Sequence, residues 1–317
     1  MIVKVDGGYL AENEDIIDHV RLLVTLLENL HFVDVSDDDF PQLEAMMEKY
    51  AGKMGNELFK GSRELLSCSD RVKDHITSIN LSELTPADIV TLLLKPSELL
   101  VENSTNEWPV YMRIIKKYQK DQTFGGVIKY IWRRTGQHHL VPANAGGINN
   151  IPAIIELKDN GEYRGNYRKK VCVIFDRDTD DDQHYSANNN RLFELFAGEG
   201  KNSTNVTTDD IYKLNFTEGY IWHMWYKRAI ENYFPAEKYA ELGMNTENLP
   251  EEQEAYDYYH FKEPKPIVEG CFRKTMVKEL GGGMGIQDYR NSTKSFEIDG
   301  GRYDEMLLLM LKIAKIV

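Results

Sequence analysis

Asp176 and Asp178 stand in the segment Phe175-Asp176-Arg177-Asp178-Thr179-Asp180-Asp181-Asp182, directly after the apolar run Val171 to Phe175. Alternate residues of an extended chain point the same way, so the two carboxylates can share a cation. Oxygen-only ligands of this kind select Mg²⁺ or Mn²⁺. An earlier apolar run, Glu98 to Glu102, also ends in a carboxylate. Acids that hold two cations ~4 Å apart stabilise the attacking and leaving oxygens of a phosphodiester and generate hydroxide near neutral pH. Each group also has a plain structural reading: an acidic surface loop in a chain with 51 acids, and an ordinary carboxylate at a strand end.

Such groups act together only if separate elements end at one place. Glu98 to Glu102 reads as a short strand, and Trp108 to Lys120 as an amphipathic helix. His139 to Pro142 reads as a second strand running into the turn Ala143-Asn144-Ala145-Gly146-Gly147, helical spacing resumes from Ile148 to Leu157, and Val171 to Phe175 is a buried third strand. This alternation predicts an α/β fold with a mainly parallel sheet, whose ligand crevice lies beyond the carboxyl ends of the strands. A weak strand is expected near Ile211 to Leu214, and a helix from Tyr220 to Tyr233 stopped by Pro235. Residues 1 to 94 read as mainly helical. Residues 95 to 235 hold the core, and residues 236 to 317 read as a helical C-terminal region that ends in the apolar helix Met306 to Val317.

An apolar strand with a terminal Glu, a strand with a glycine turn and a strand with Asp-x-Asp resemble, in that order, the TOPRIM domain of primases, type II topoisomerases and OLD-type (overcoming lysogenization defect) nucleases. The segment Ile230-Glu231-Asn232-Tyr233-Phe234 resembles the hydrophobic-Glu-Asn-Tyr-Leu signature of the OLD-like branch, which includes TOPRIM effectors of bacterial anti-phage defence systems such as PARIS. The likeness covers roughly residues 97 to 235. It implies a Rossmann-type TOPRIM core and a metal-dependent nuclease, a hydrolase using two Mg²⁺ or Mn²⁺ ions. Glu102, Asp176, Asp178 and Glu231 are then the catalytic and metal-binding carboxylates, with Gly146 and Gly147 at the backbone turn near the site. The family usually has Gly after its first Glu and an Asp four residues on; this chain has Asn103 and Asn106. One metal site is then weaker, or Asp180 or Asp182 substitutes.

A formal charge of −13 excludes a protein that coats nucleic acid through bulk positive charge, so any polyanion must be handled locally. Between Arg113 and Arg134 seven bases face the single acid Asp121 and interleave with Tyr118, Tyr130 and Trp132. Lys116, Lys117, Lys120, Arg133 and Arg134, together with Arg228, are the candidate nucleic-acid contacts; the alternative is a solvated helix face. His184 is a candidate general acid or base. DNA, tRNA and other RNA stay open as substrates, as does a homo-oligomer.

Gly281 to Gly285 lacks the Gly-Lys-Ser/Thr ending of a phosphate loop, so no ATPase is expected in this chain. The resemblance implies a separate ATPase subunit, for which the N-terminal region, with thirteen acids against five bases in its first sixty residues, is the expected docking surface. Cys68, Cys172 and Cys271 form no CxxC pair, the N-terminus has no signal-peptide core and no run is long enough to span a membrane, so a cytoplasmic protein is expected. Two other functions compete. One is a non-catalytic TOPRIM-like module that binds nucleic acid or a partner. The other is an aspartate-nucleophile phosphatase of the haloacid dehalogenase type, which expects Thr where this chain has Asp180 and gives Glu102 and Glu231 no role.

Overall fold

The computed structural model describes residues 1–6, 16–67, 70–214, 219–243, 245–247, 249–261 and 279–317. Its first unit is built from β1 (Ile2–Val5), α1 (Ile16–Glu28), β2 (Phe32–Val35), α2 (Phe40–Ser67) and β3 (Ser78–Asn80), with a parallel sheet in the order β2-β1-β3. The segment up to residue 94 is mainly helical as expected, and it carries in addition a three-stranded parallel sheet that the sequence reading lacked. Ile2-Val3-Lys4-Val5 and Phe32-Val33-Asp34-Val35 are only four residues each, too short to interrupt the helical period around them, yet β-branched residues pack well on a pleated surface. Val3, Val5 and Val33 share a buried cluster with Val20, Leu23 and Leu26 of α1.

The second unit contains β4 (Ser97–Val101), α3 (Ser104–Tyr118), α4 (Gly125–Gly136), β5 (Leu140–Asn144), α5 (Ile151–Asn160), β6 (Val171–Phe175), α6 (Asn190–Ala197) and β7 (Ile221–Met224). Its four strands are all parallel, in the order β5-β4-β6-β7. Every residue of β4 and β6 is buried, as expected for central strands covered on both faces. Cys172 lies in β6, and burial pushes its thiol up to about 12. Cys68 and Cys271 lie outside the described residues.

Two expected elements are corrected here. Tyr220 to Tyr233 is not a helix: Ile221 to Met224 pair with Cys172 to Phe175 as β7, and only Ile230–Tyr233 forms a 3₁₀ turn. The spacing of Trp222, Trp225, Tyr226 and Tyr233 imitated a helix, but large aromatics are equally good strand residues and β6 offered an open edge. Ile211 to Leu214 is not a strand either. Thr207 and Asp210 form a capping box that starts the helical turn Thr208–Ile211.

The C-terminal region is also not purely helical. After α7 (Ile286–Asn291), the strands β8 (Ser295–Ile298) and β9 (Gly301–Asp304) pair antiparallel. Asp299 and Gly300 between them both have positive φ, 51° and 75°, the requirement of a two-residue hairpin turn. The terminal helix, α8 (Glu305–Ala314), is buried at every residue and packs against β7, α3 and α4. Even Lys312 is inside; its ammonium donates to the carbonyls of Ile211 (2.6 Å) and Trp222 (2.8 Å), and burial lowers its pKa to about 7. Among the described residues no helix is long and apolar enough to cross a membrane.

Candidate active site

The chain leaves β4 for β5 on one side and reaches β6 on the other, so the carboxyl ends of β4 and β6 flank the point where the strand order reverses. In open parallel sheets that point is where the crevice opens. Glu102 follows β4 directly, Asp176 follows β6 directly, and Glu231 sits in the turn after β7. Asp176 and Glu231 are 9% and 3% exposed, an expensive placement for carboxylates.

A further acid joins them. Glu107, in the first turn of α3, has a carboxyl held well above the usual carboxylate range, first by burial and then by the charges of Asp176, Glu102 and Glu231. Its Oε1 accepts from the Asn103 backbone N–H at 2.8 Å and its Oε2 from the Tyr111 hydroxyl at 3.2 Å. Tyr111 in turn lies parallel to Trp225, with ring centroids 6.2 Å apart. A carboxyl thus stands one residue after Asn106, the position at which the resemblance implies an acid. Asn103 caps α3 by accepting from the Asn106 N–H, and this cap places Glu107 at the helix entrance, where a negative side chain is favoured. The sequence signal was an Asn cap followed by an acid in the first turn.

The aspartate-rich loop differs from expectation. Asp176 and Asp178 do not alternate along an extended strand, because β6 stops at Phe175 and Asp178 takes a left-handed φ of 56°. The N–H groups of Arg177 and Asp178 both donate to the Arg228 carbonyl at 3.0 Å, which turns the chain away from the strand direction. Asp178 instead lines a small pocket with Arg228, Glu231, Asn232 and His260. Arg177, 1% exposed, gathers the loop from inside. Its guanidinium donates to the carbonyls of Asp182 (2.6 Å), His184 (3.0 Å) and Tyr226 (3.1 Å) and to the Thr179 hydroxyl (3.1 Å), and stands 4.5 Å from the centre of the Tyr185 ring.

Neither expected substitute occupies the place of the missing acid. The Asp180 side chain is 92% exposed and pairs with Arg228. Asp182 accepts from the Gln183 side chain and from the Tyr226 hydroxyl, which hold its pKa below the usual value. Arg228, expected at nucleic acid, is thereby engaged with Asp180 and the Thr179 carbonyl. His184 is exposed and lies 2.8 Å from Asp181.

Asn232 explains why its neighbours converge. Its amide donates to the carbonyls of Tyr256 and Tyr259, both at 2.9 Å, while its own oxygen accepts from the Ala229 N–H. One side chain so ties the Glu231 turn to the 256–259 segment and delivers His260 to the pocket shared by Asp178 and Glu231. His260 lies outside the strand-ending segments where chemistry was sought in the sequence; only the fold brings it in. On the opposite flank, Gly146 donates its N–H to the Glu102 carbonyl at 3.0 Å. Gly146 and Gly147 have φ of 68° and 129°, conformations that a side chain resists.

The basic segment is not gathered at this site. Arg134 is fully buried and donates to the Asn29 carbonyl, which corrects it as a nucleic-acid contact, and Tyr118 and Tyr130, which interleave with the bases, belong to the core. Lys116 and Lys117 lie in the last turn of α3, whereas Glu107 lies in its first. Nine residues of helix separate Glu107 from Lys116 by about 14 Å at 1.5 Å per residue. Lys120 lies beyond them, and Arg133 is exposed in the last turn of α4.

The donor set is carboxylate oxygen, which suits Mg²⁺ or Mn²⁺, and the mutual repulsion felt by Glu107 is of the kind a cation relieves. Among the described residues, no group of three or more His, Cys, Asp and Glu side chains closes on one point as a ready-made metal site. No protein-family model, curated protein or solved structure matches the chain.

Proposed function

We propose that this chain is a divalent-metal-dependent nuclease of the TOPRIM type. The observation that carries the reading is that Glu102, Asp176 and Glu231 follow three different strands of one parallel sheet at its reversal of strand order, and the upward push of their charges on the buried Glu107 carboxyl accords with it. Folding brings these like charges near enough to act on Glu107, as carboxylates that share a cation do. Glu102, Glu107, Asp176 and Glu231 would hold Mg²⁺ or Mn²⁺, and bound cations would supply charge neutralisation and an activated water. Asp178 and His260 line a small pocket with Glu231, Asn232 ties that pocket to the 256–259 segment, and Arg177 holds the aspartate loop, so Asp178 and His260 would lie beside the reacting group. DNA or RNA, including tRNA, is the substrate class.

We extend the proposal to an effector role in bacterial anti-phage defence beside a separate ATPase subunit. This rests on the TOPRIM resemblance, whose OLD-like branch includes such effectors. The non-catalytic binding module is the second reading, and the absence of a closed metal site among the described residues favours it.

Cleavage of plasmid DNA and total tRNA, followed with Mg²⁺, with Mn²⁺ and with chelator, separates the two. The nuclease reading expects cation-dependent cutting of at least one polymer, lost on Glu102→Ala. Cutting that survives chelation, or polymer binding without any cutting in the presence or absence of the ATPase partner, contradicts it. His260→Ala is expected to lower cleavage ~10² to 10⁴-fold, the usual range for loss of a positioned proton-transfer side chain, with cation affinity retained. Unchanged cleavage would remove His260 from the site.

A further inference from the structure

We infer that Glu305, the first residue of the terminal helix α8, is a positioning residue for the Glu231 turn. The inference rests on the proposed cation site, and it concerns a residue 74 positions after Glu231 in the chain. Glu305 is fully buried. One of its oxygens accepts the Tyr226 backbone N–H at 2.7 Å, the other accepts the Tyr233 hydroxyl at 2.5 Å, and the His223 ring nitrogen lies 3.3 Å away. A single carboxylate therefore grips the 226–233 segment at both ends.

The grip extends to the aspartate loop. The Tyr226 carbonyl accepts from the buried Arg177 guanidinium, and the Tyr226 hydroxyl donates to Asp182 at 3.0 Å. The Tyr233 hydroxyl also accepts from the Lys227 N–H at 3.1 Å, closing the turn on itself. From β6 and from β7, the two acidic segments of the site thus meet on Tyr226, and Tyr226 is anchored to α8. Burial pushes the Glu305 carboxyl up to about 7 in spite of the opposing hydrogen bonds from Tyr233 and Tyr226. Burial makes the carboxylate expensive, and what it contributes in return is the pair of directed bonds that take up the Tyr226 N–H and the Tyr233 hydroxyl.

Partners that orient metal-holding carboxylates typically change metal affinity ~10 to 100-fold when removed. The test compares Glu305→Ala, Glu305→Gln, Tyr233→Phe and, as a control for plain destabilisation, Leu308→Ala, a fully buried residue of the same helix. Two quantities are read on the full chain below its melting range: Mn²⁺ affinity, and amide hydrogen exchange at Tyr226 and across residues 230 to 233 in the absence of metal. The expected result is a ~10-fold or greater loss of Mn²⁺ affinity and faster local exchange in Glu305→Ala, a smaller change of the same kind in Tyr233→Phe, and an intermediate change in Glu305→Gln, whose single amide oxygen can accept only one of the two donors. Leu308→Ala should alter neither quantity locally.

Equal effects from Leu308→Ala, or unchanged exchange in Glu305→Ala, overturn the positioning role. If Glu305→Ala does not fold, Tyr233→Phe decides in its place. A wild type that binds no Mn²⁺ sinks the metal reading, while the exchange measurement still decides whether Glu305 holds the turn.

Discussion

Asp176→Ala is expected to reduce nucleic-acid cleavage by about 10³-fold or more, through lost charge stabilisation at the reacting phosphate. Asp176 follows the central strand β6, at the reversal of strand order, and its charge is the largest electrostatic influence on Glu107 after burial itself. The same residue should reveal the cost of the site. In metal-free protein Asp176→Asn keeps the side-chain shape and removes one of the mutually repelling charges, so it should melt no lower than wild type while losing activity. Active sites commonly hold such unfavourable charge in exchange for function. Comparing the two substitutions in a melting experiment and a cleavage assay checks both parts; an active Asp176→Asn, or a large loss of metal-free stability, would contradict the assignment.

Arg177→Met is expected to carry the largest stability effect in the loop, on the order of 3–5 kcal/mol, because the backbone carbonyls of Asp182, His184 and Tyr226 lose their shared donor inside the protein. Arg177→Lys should recover little of this. An ammonium cannot reproduce a planar fork that serves the carbonyls and the Thr179 hydroxyl at once while facing the Tyr185 ring. Chemical denaturation measures the loss, and hydrogen exchange across residues 178 to 185 locates it. A change below about 1 kcal/mol would mean that the loop is held by its own turns rather than by Arg177.

What the sequence disclosed about the site followed from burial. Val171 to Phe175 was recognisable as a central strand because five adjacent apolar residues have few other homes, and Asp176 could be placed at its end. Glu107 was hidden by a shift of one position: the pattern called attention to Asn106, and only the Asn103 cap shows why the acid belongs in the helix's first turn. His260 and Glu305 were hidden for another reason. They reach the site through long-range contacts, via Asn232 and via Tyr226 with Tyr233, and no local periodicity encodes such contacts.

The fold shows the same division. The strand–helix alternation from β4 to β6 was legible, whereas β7 was read as helix because its aromatics fall at helical spacing, and β1 to β3 were too short to stand out from their surroundings. Within the basic segment, charge and sequence proximity say nothing about which helix end a residue occupies. Lys116 and Lys117 lie in the last turn of the helix whose first turn carries Glu107, and Arg134 is buried. The Asp299-Gly300 turn, by contrast, was a readable hairpin signal in a region taken as helical.

Calorimetric titration of Mn²⁺ into metal-free wild type, Glu102→Ala, Glu107→Gln and Asp176→Ala tests most directly whether these acids form one cation-binding unit. The predicted result is binding by the wild type that weakens about 10-fold or more in every variant, with the double variant Glu107→Gln/Asp176→Ala losing less than the sum of the two single losses because the residues act together. Wild type that takes up no Mn²⁺ at millimolar concentration, or a Glu107→Gln protein that binds as wild type does, would contradict it.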